Sequence, residues 1–143
     1  MRPHRVLAVT FALATLLAGG APAAASPVTV YYLHGTVRCV TCIVLEDVTG
    51  WTVRDTFGDL LAEGVLALET VNYDLPENAH FLADFDLEMP GVVLAASAGD
   101  SLRTWKRLDR TWELSELPAD LEKYIVEETR AFLRANLGAD YAP

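Results

Sequence analysis

The sequence predicts an α/β fold, a four-stranded mixed sheet flanked by helices in the order β-α-β-α-β-β-α. Three observations predict it. Runs rich in β-branched and aromatic or aliphatic residues, Val28 to Leu33, Val65 to Asn72 and Gly91 to Ala96, alternate with stretches whose apolar residues recur at helical spacing. A tight-turn signal, Ala98-Gly99-Asp100, joins the third run to a fourth, Leu102 to Leu108. The chain then closes with one long amphipathic stretch. Strands alternating with helices, then a hairpin and a helix, place helices on both faces of a sheet with parallel and antiparallel pairs. With 143 residues, 52% of them hydrophobic, there is material for one domain around one core.

The first 25 residues have the layout of an export signal. Met1-Arg-Pro-His-Arg5 is a short basic head, Val6 to Ala18 is an uncharged apolar run, and Ala23-Ala24-Ala25 offers small residues for cleavage before Ser26. The apolar run is shorter than the ~20 residues a membrane-spanning helix needs. A signal peptide over 1–25 and a single domain over 26–143 are therefore expected, with a periplasmic or extracellular destination. Without Arg2 and Arg5, nine basic residues face twenty acidic ones, a net charge of −11. Such an acidic surface argues against nucleic acid and anionic membrane as partners.

Val28-Thr-Val-Tyr-Tyr-Leu33 reads as a buried strand that His34-Gly35-Thr36 ends. From Cys39 to Glu63, Val44, Val48 and Trp51 and then Val53, Phe57, Leu60 and Leu61 keep helical spacing with a phase slip near Gly50, which predicts a kinked or broken helix stopping at Gly64. Val65 to Asn72 reads as the second strand, and Pro76 opens a short helix reaching about Phe85. Gly91 to Ala96 and Leu102 to Leu108 form the hairpin, with Leu102 and Trp105 on opposite phases. The last helix, about Pro118 to Asn136, carries a stripe of Leu121, Tyr124, Ile125, Phe132 and Leu133 and ends before Gly138.

Cys39-Val40-Thr41-Cys42 stands where a strand has ended and a helix begins. The unpaired N–H groups and positive dipole end of a helix N-terminus favour an anion, so a cysteine there ionises more readily than an ordinary thiol. Arg38 adds a positive charge beside Cys39, and His34, five residues upstream, is a candidate to tune the thiol or complete a metal site. Cys39 is then the attacking thiol and Cys42 the resolving one. Two other roles compete. A structural zinc site needs four ligands, and the exported part offers two thiols, His34 and His80. A passive staple gains little from so short a loop.

Cys-x-x-Cys after the first strand, Val71-Asn-Tyr-Asp74 ending the second, Met89-Pro90-Gly-Val-Val-Leu94 opening the third, Ala98-Gly-Asp at the hairpin and Asp120-Leu-Glu-Lys-Tyr-Ile125 in the last helix resemble, in order, the thioredoxin-like superfamily. More narrowly, Tyr31 to Cys42, Asn72 to Asn78 and Leu108 to Leu114 resemble the bacterial ArsF family, whose members carry the name nitrophenyl compound nitroreductase subunit. The resemblance implies a thioredoxin-like fold, a cis Pro90 facing the dithiol, and Met89 offering its backbone to an extended substrate. The chain departs from the thioredoxin pattern in three places. No tryptophan precedes the first cysteine, the dipeptide between the cysteines is Val-Thr, and the buried acid with its lysine partner gives way to Tyr and Thr side chains around Tyr31 and Thr70.

The expected function is an exported thiol-disulfide oxidoreductase acting on protein or small-molecule disulfides and dithiols, monomeric, with a membrane or periplasmic redox partner. The alternative is a dithiol carrier of a soft metal or metalloid ion, with His34 as a third ligand. No Gly-rich fingerprint follows a strand, so no flavin or nicotinamide cofactor is expected. His80 is expected to pair with Asp84 one turn on. Trp105, Trp112 and Tyr124 are expected in the core, and Arg103, Lys106 and Arg107 on a solvated strand face.

Overall fold

The computed structural model describes residues 27–141; the expected signal peptide lies outside them. Four strands form one sheet in the order β2-β1-β3-β4: β1 Val28–His34, β2 Leu66–Asn72, β3 Gly91–Ala98 and β4 Ser101–Arg107. β1 runs parallel to β2 and antiparallel to β3, and β3 and β4 form the antiparallel hairpin. The helices are α1 Val40–Thr56, α2 Gly58–Ala62, α3 His80–Asp84 and α4 Pro118–Leu137, with a 3-10 turn at Pro76–Asn78. This is the α/β mixed sheet expected, with helices on both faces. Among the described residues no helix is long and apolar enough to cross a membrane.

Strand alternation divides the core in two, because successive side chains point to opposite faces. Val28, Val30 and Tyr32 of β1 and Val92, Leu94 and Ala96 of β3 pack on one face against Leu45 and Val53 of α1, Phe57, and Leu121, Ile125, Phe132 and Leu133 of α4. On the other face Leu33, Val93 and Ala95 meet Phe85 and Leu87, with Tyr31, Val71, Phe81 and Leu82 around them. The larger layer, α1 with α4, carries the dithiol.

The helical break falls at Phe57 instead of Gly50. Phe57 is fully buried, leaves helical geometry (φ −120°, ψ 24°) and caps α1 through its N–H to the Val53 carbonyl. The buried stripe of α1 is Cys42, Leu45, Thr49, Thr52 and Val53, a regular helical spacing. Two of its members are threonines, and leaving them out of the apolar pattern creates the apparent slip. Trp51 lies outside the stripe and is exposed.

The hairpin turns at Gly99, whose φ of +59° few other residues adopt cheaply. α4 starts with Pro118 in its first turn and ends at Gly138 (φ +104°), whose N–H caps the Arg134 carbonyl. Trp112 and Tyr124 pack against the larger core as expected. Trp105 does not fill it. It is 37% exposed, its ring edge-on to Phe85 at 5.8 Å, because β4 is an edge strand with a neighbour on one side only. Lys106 pairs with Glu128, and Arg107 with Asp109 and the Asp86 carbonyl.

Candidate dithiol site

β1 ends at His34, and the four residues to Arg38 carry the chain over to α1. This connection is clamped to the end of β2. The Tyr73 N–H donates to the His34 carbonyl at 2.9 Å, the Thr36 N–H donates to the Asp74 carboxylate at 2.6 Å, and the Asn72 side-chain amide donates to the Thr36 hydroxyl at 3.1 Å. Asn72 in turn is held by the Asp74 N–H at 3.0 Å and by the Asn78 amide on its carbonyl at 3.0 Å. Gly35 is buried within the clamp. A Cβ there would lie 3.0 Å from the Asp74 carboxylate and 3.4 Å from the Tyr73 ring.

Cys39 is the N-cap of α1. Its backbone is extended (φ −89°, ψ 166°), and its Sγ accepts the Cys42 N–H at 3.1 Å, the place a serine or aspartate oxygen usually takes. Its carbonyl accepts the Ile43 N–H, closing the first helical turn. No acidic residue lies in that turn to oppose a thiolate. Cys39 and Cys42 form a disulfide with Cα atoms 5.0 Å apart, within the range such a bond requires. The two sulfurs differ in access: Cys39 is exposed, whereas Cys42 is 4% exposed. Val37 and Val40, which flank Cys39 and its neighbour Arg38, are 88% and 79% exposed, and Ile43 is exposed one turn on.

Arg38 does not stand as a bare charge beside Cys39. Its guanidinium pairs with Glu46 and lies over the Tyr32 ring, 5.9 Å from the centroid. Tyr32 itself is 1% exposed and donates its hydroxyl to the Cys42 carbonyl at 2.6 Å. Burial pushes the Tyr32 pKa up to about 12, against the smaller opposing pull of the Arg38 charge. His34 directs Nδ1 to the Gly35 carbonyl at 2.8 Å, so that nitrogen carries the proton, and its ring stacks on Tyr32 at 6.0 Å. Among the described residues no three His, Cys, Asp or Glu side chains gather as a metal-holding group.

No family model, no curated protein and no solved structure matches the chain.

Met89 and Pro90 sit at the start of β3. Gly91 faces Leu33 in the antiparallel register, so Pro90 enters the sheet at the end of β1 from which the Cys39 connection departs. The Met89–Pro90 bond is trans, as are all peptide bonds among the described residues, which corrects the expected cis form. Pro90 accepts the Trp112 indole N–H on its carbonyl at 2.7 Å, and Gly91 pairs with Leu33 in the ladder. Met89 is 55% exposed. It borders a cleft of about 310 Å³ with Pro90, Arg107, Asp109 and Trp112, which neither cysteine lines.

Around Tyr31 and Thr70, where the sequence puts Tyr and Thr side chains, the two neighbouring tyrosines divide between the faces of the sheet. Tyr31 turns to the opposite face, against Phe81 and Phe85 at 5.3 and 5.7 Å. Tyr32 is the one beside Thr70 in register and beneath α1. Its alternation with Val28 and Val30 was the signal that could have found it. Glu46 was also missed, since nothing local in sequence ties it to Arg38. His80 pairs with Asp84 at 2.7 Å on the surface, as expected.

Proposed function

We propose that this chain is an exported thiol-disulfide oxidoreductase of the thioredoxin-like superfamily, resembling the ArsF family. The observation that carries the reading is the unequal pair at the start of α1: an exposed Cys39 whose sulfur already accepts a helix N–H, joined to a buried Cys42. A thiolate at Cys39 would keep that hydrogen bond and the positive end of the helix dipole. The element order and the dithiol's position after the first strand support the superfamily assignment.

In the reducing direction, the Cys39 thiolate attacks one sulfur of a substrate disulfide, forming a mixed disulfide and releasing the other substrate sulfur as a thiolate. Cys42 loses its proton and attacks the Cys39 sulfur, which frees the second substrate thiolate and closes the Cys39–Cys42 disulfide. The reverse sequence oxidises a substrate dithiol. Burial of Cys42 leaves the first attack to Cys39. The exposed Val37, Val40 and Ile43 favour a substrate that presents an apolar segment. Export by the N-terminal leader places the partner outside the cytoplasm, as a membrane or periplasmic dithiol protein.

The test is Cys42→Ser in the full chain. It leaves Cys39 unable to resolve, so mixed disulfides accumulate through Cys39 and Cys39→Ser abolishes them. Absence of any trapped species, with Cys39 alkylating as an ordinary exposed thiol, would sink the reading. The midpoint of the pair gives the direction: near about −270 mV it donates electrons, near about −120 mV it accepts them.

A further inference from the structure

We propose that the Tyr32 hydroxyl is a positioning group that holds the Cys39–Cys42 pair toward its disulfide form. The inference rests on the redox reading above and names what tunes it.

Both cysteines are tied to one ring. Cys42 is tied through its carbonyl, which accepts the Tyr32 O–H at 2.6 Å in a buried contact. Cys39 is tied through its neighbour Arg38, whose guanidinium lies over the same ring and pairs with Glu46 further along α1. The ring belongs to β1, an inner strand paired on both sides, and is therefore itself fixed. Two Cα atoms held at 5.0 Å need no backbone movement to close a disulfide. In the dithiol form the same ties keep the thiols close, which raises the effective concentration of one for the other. The balance at issue is the disulfide plus two electrons and two protons against two thiols. Glutathione supplies them, two of its thiols becoming one glutathione disulfide.

A helix carbonyl is ordinarily satisfied by the N–H four residues on, so the hydroxyl is an additional donor that anchors the turn to the sheet. High burial keeps the hydroxyl protonated and thus a donor throughout the neutral range.

The experiment measures the dithiol-disulfide equilibrium of the full chain in graded glutathione buffers, with thermal unfolding of the oxidised form alongside. Tyr32→Phe deletes only the hydroxyl. It is expected to shift the equilibrium about fivefold toward the dithiol, a rise in midpoint of about 20 mV. Arg38→Met, which keeps the stem and loses the pairing, shifts it in the same direction and covers the case in which Tyr32→Phe does not fold. Tyr124→Phe, a half-buried tyrosine on α4, leaves the midpoint unmoved. A reversible wild-type transition with the midpoint unchanged in both Tyr32→Phe and Arg38→Met, whatever their melting temperatures, overturns the inference alone. A wild-type pair with no reversible two-electron transition overturns the redox reading and the inference with it.

Discussion

The Asp74 carboxylate accepts the Thr36 backbone N–H at 2.6 Å, so the end of β2 fixes the residue three before the exposed cysteine. Gly35 is what lets the two segments approach so closely, since its missing Cβ leaves the 3.0 Å gap to the same carboxylate. Gly35→Ala is expected to cost about 1–3 kcal/mol by overpacking. Asp74→Ala in the Gly35→Ala background restores the space. The two losses should therefore be less than additive in urea unfolding, and strict additivity would count against the contact.

Tyr32 makes a pH prediction whose sign follows from its raised pKa. In the unfolded chain the phenol ionises near its ordinary value of about 10, but in the folded protein only near 12. The folded state thus holds the proton longer. Its contribution to stability is complete below pH 10 and is lost as pH rises toward 12. Wild-type unfolding midpoints should fall more steeply across that window than those of Tyr32→Phe; parallel slopes would refute the assignment.

Thr49, Thr52 and Thr129 are fully or almost fully buried between α1, α4 and the sheet, and among the described residues their hydroxyls have no partner. An unpaired buried hydroxyl costs roughly 1–3 kcal/mol. Thr129→Val exchanges that hydroxyl for a methyl in nearly the same volume and is expected to raise the melting temperature by an amount equivalent to about 1 kcal/mol or more. A lower melting temperature would show that the hydroxyl does have a partner.

After reduction, the access difference between the cysteines should be visible directly. Cys39 is expected to alkylate roughly tenfold faster than Cys42 or more, because reactivity follows thiolate character and exposure together. Peptide mapping after a brief iodoacetamide pulse reads the order of labelling. Equal labelling would contradict the burial of Cys42.

Trp112 ties the loop after β4 to Pro90 through one indole N–H at 2.7 Å. Trp112→Phe keeps most of the packing and loses that bond. A loss of about 1–2 kcal/mol in denaturant unfolding is expected, and no loss would mean that water satisfies the Pro90 carbonyl equally well.

The sheet was legible because β-branched runs and turn residues are local signals: all four strands lie within two residues of where the pattern put them. So was the start of α1 at the Cys-x-x-Cys pair. Its interior was harder to read, since Thr49 and Thr52 are buried while an apolar pattern treats threonine as polar. Trp105 misled for the opposite reason: its size suggests burial, but its place on an edge strand decides its exposure. The ties around the dithiol were not legible. Tyr32 to Cys42, Arg38 to Glu46 and Thr36 to Asp74 span 10, 8 and 38 residues, and only the packed fold brings them together.

The strand order has a consequence for how the domain opens. β1 and β3 are hydrogen-bonded to neighbours on both sides, whereas β2 and β4 each have one neighbour and lie at the rims. Amide exchange should therefore be fastest along the outer edges of β2 and β4, through fraying that leaves the rest intact. The amides of β1 should exchange only when the whole domain unfolds. The turn that carries the cysteines springs from one of the two inner strands, so it should stand ready formed in the native state, with no local opening needed to present it.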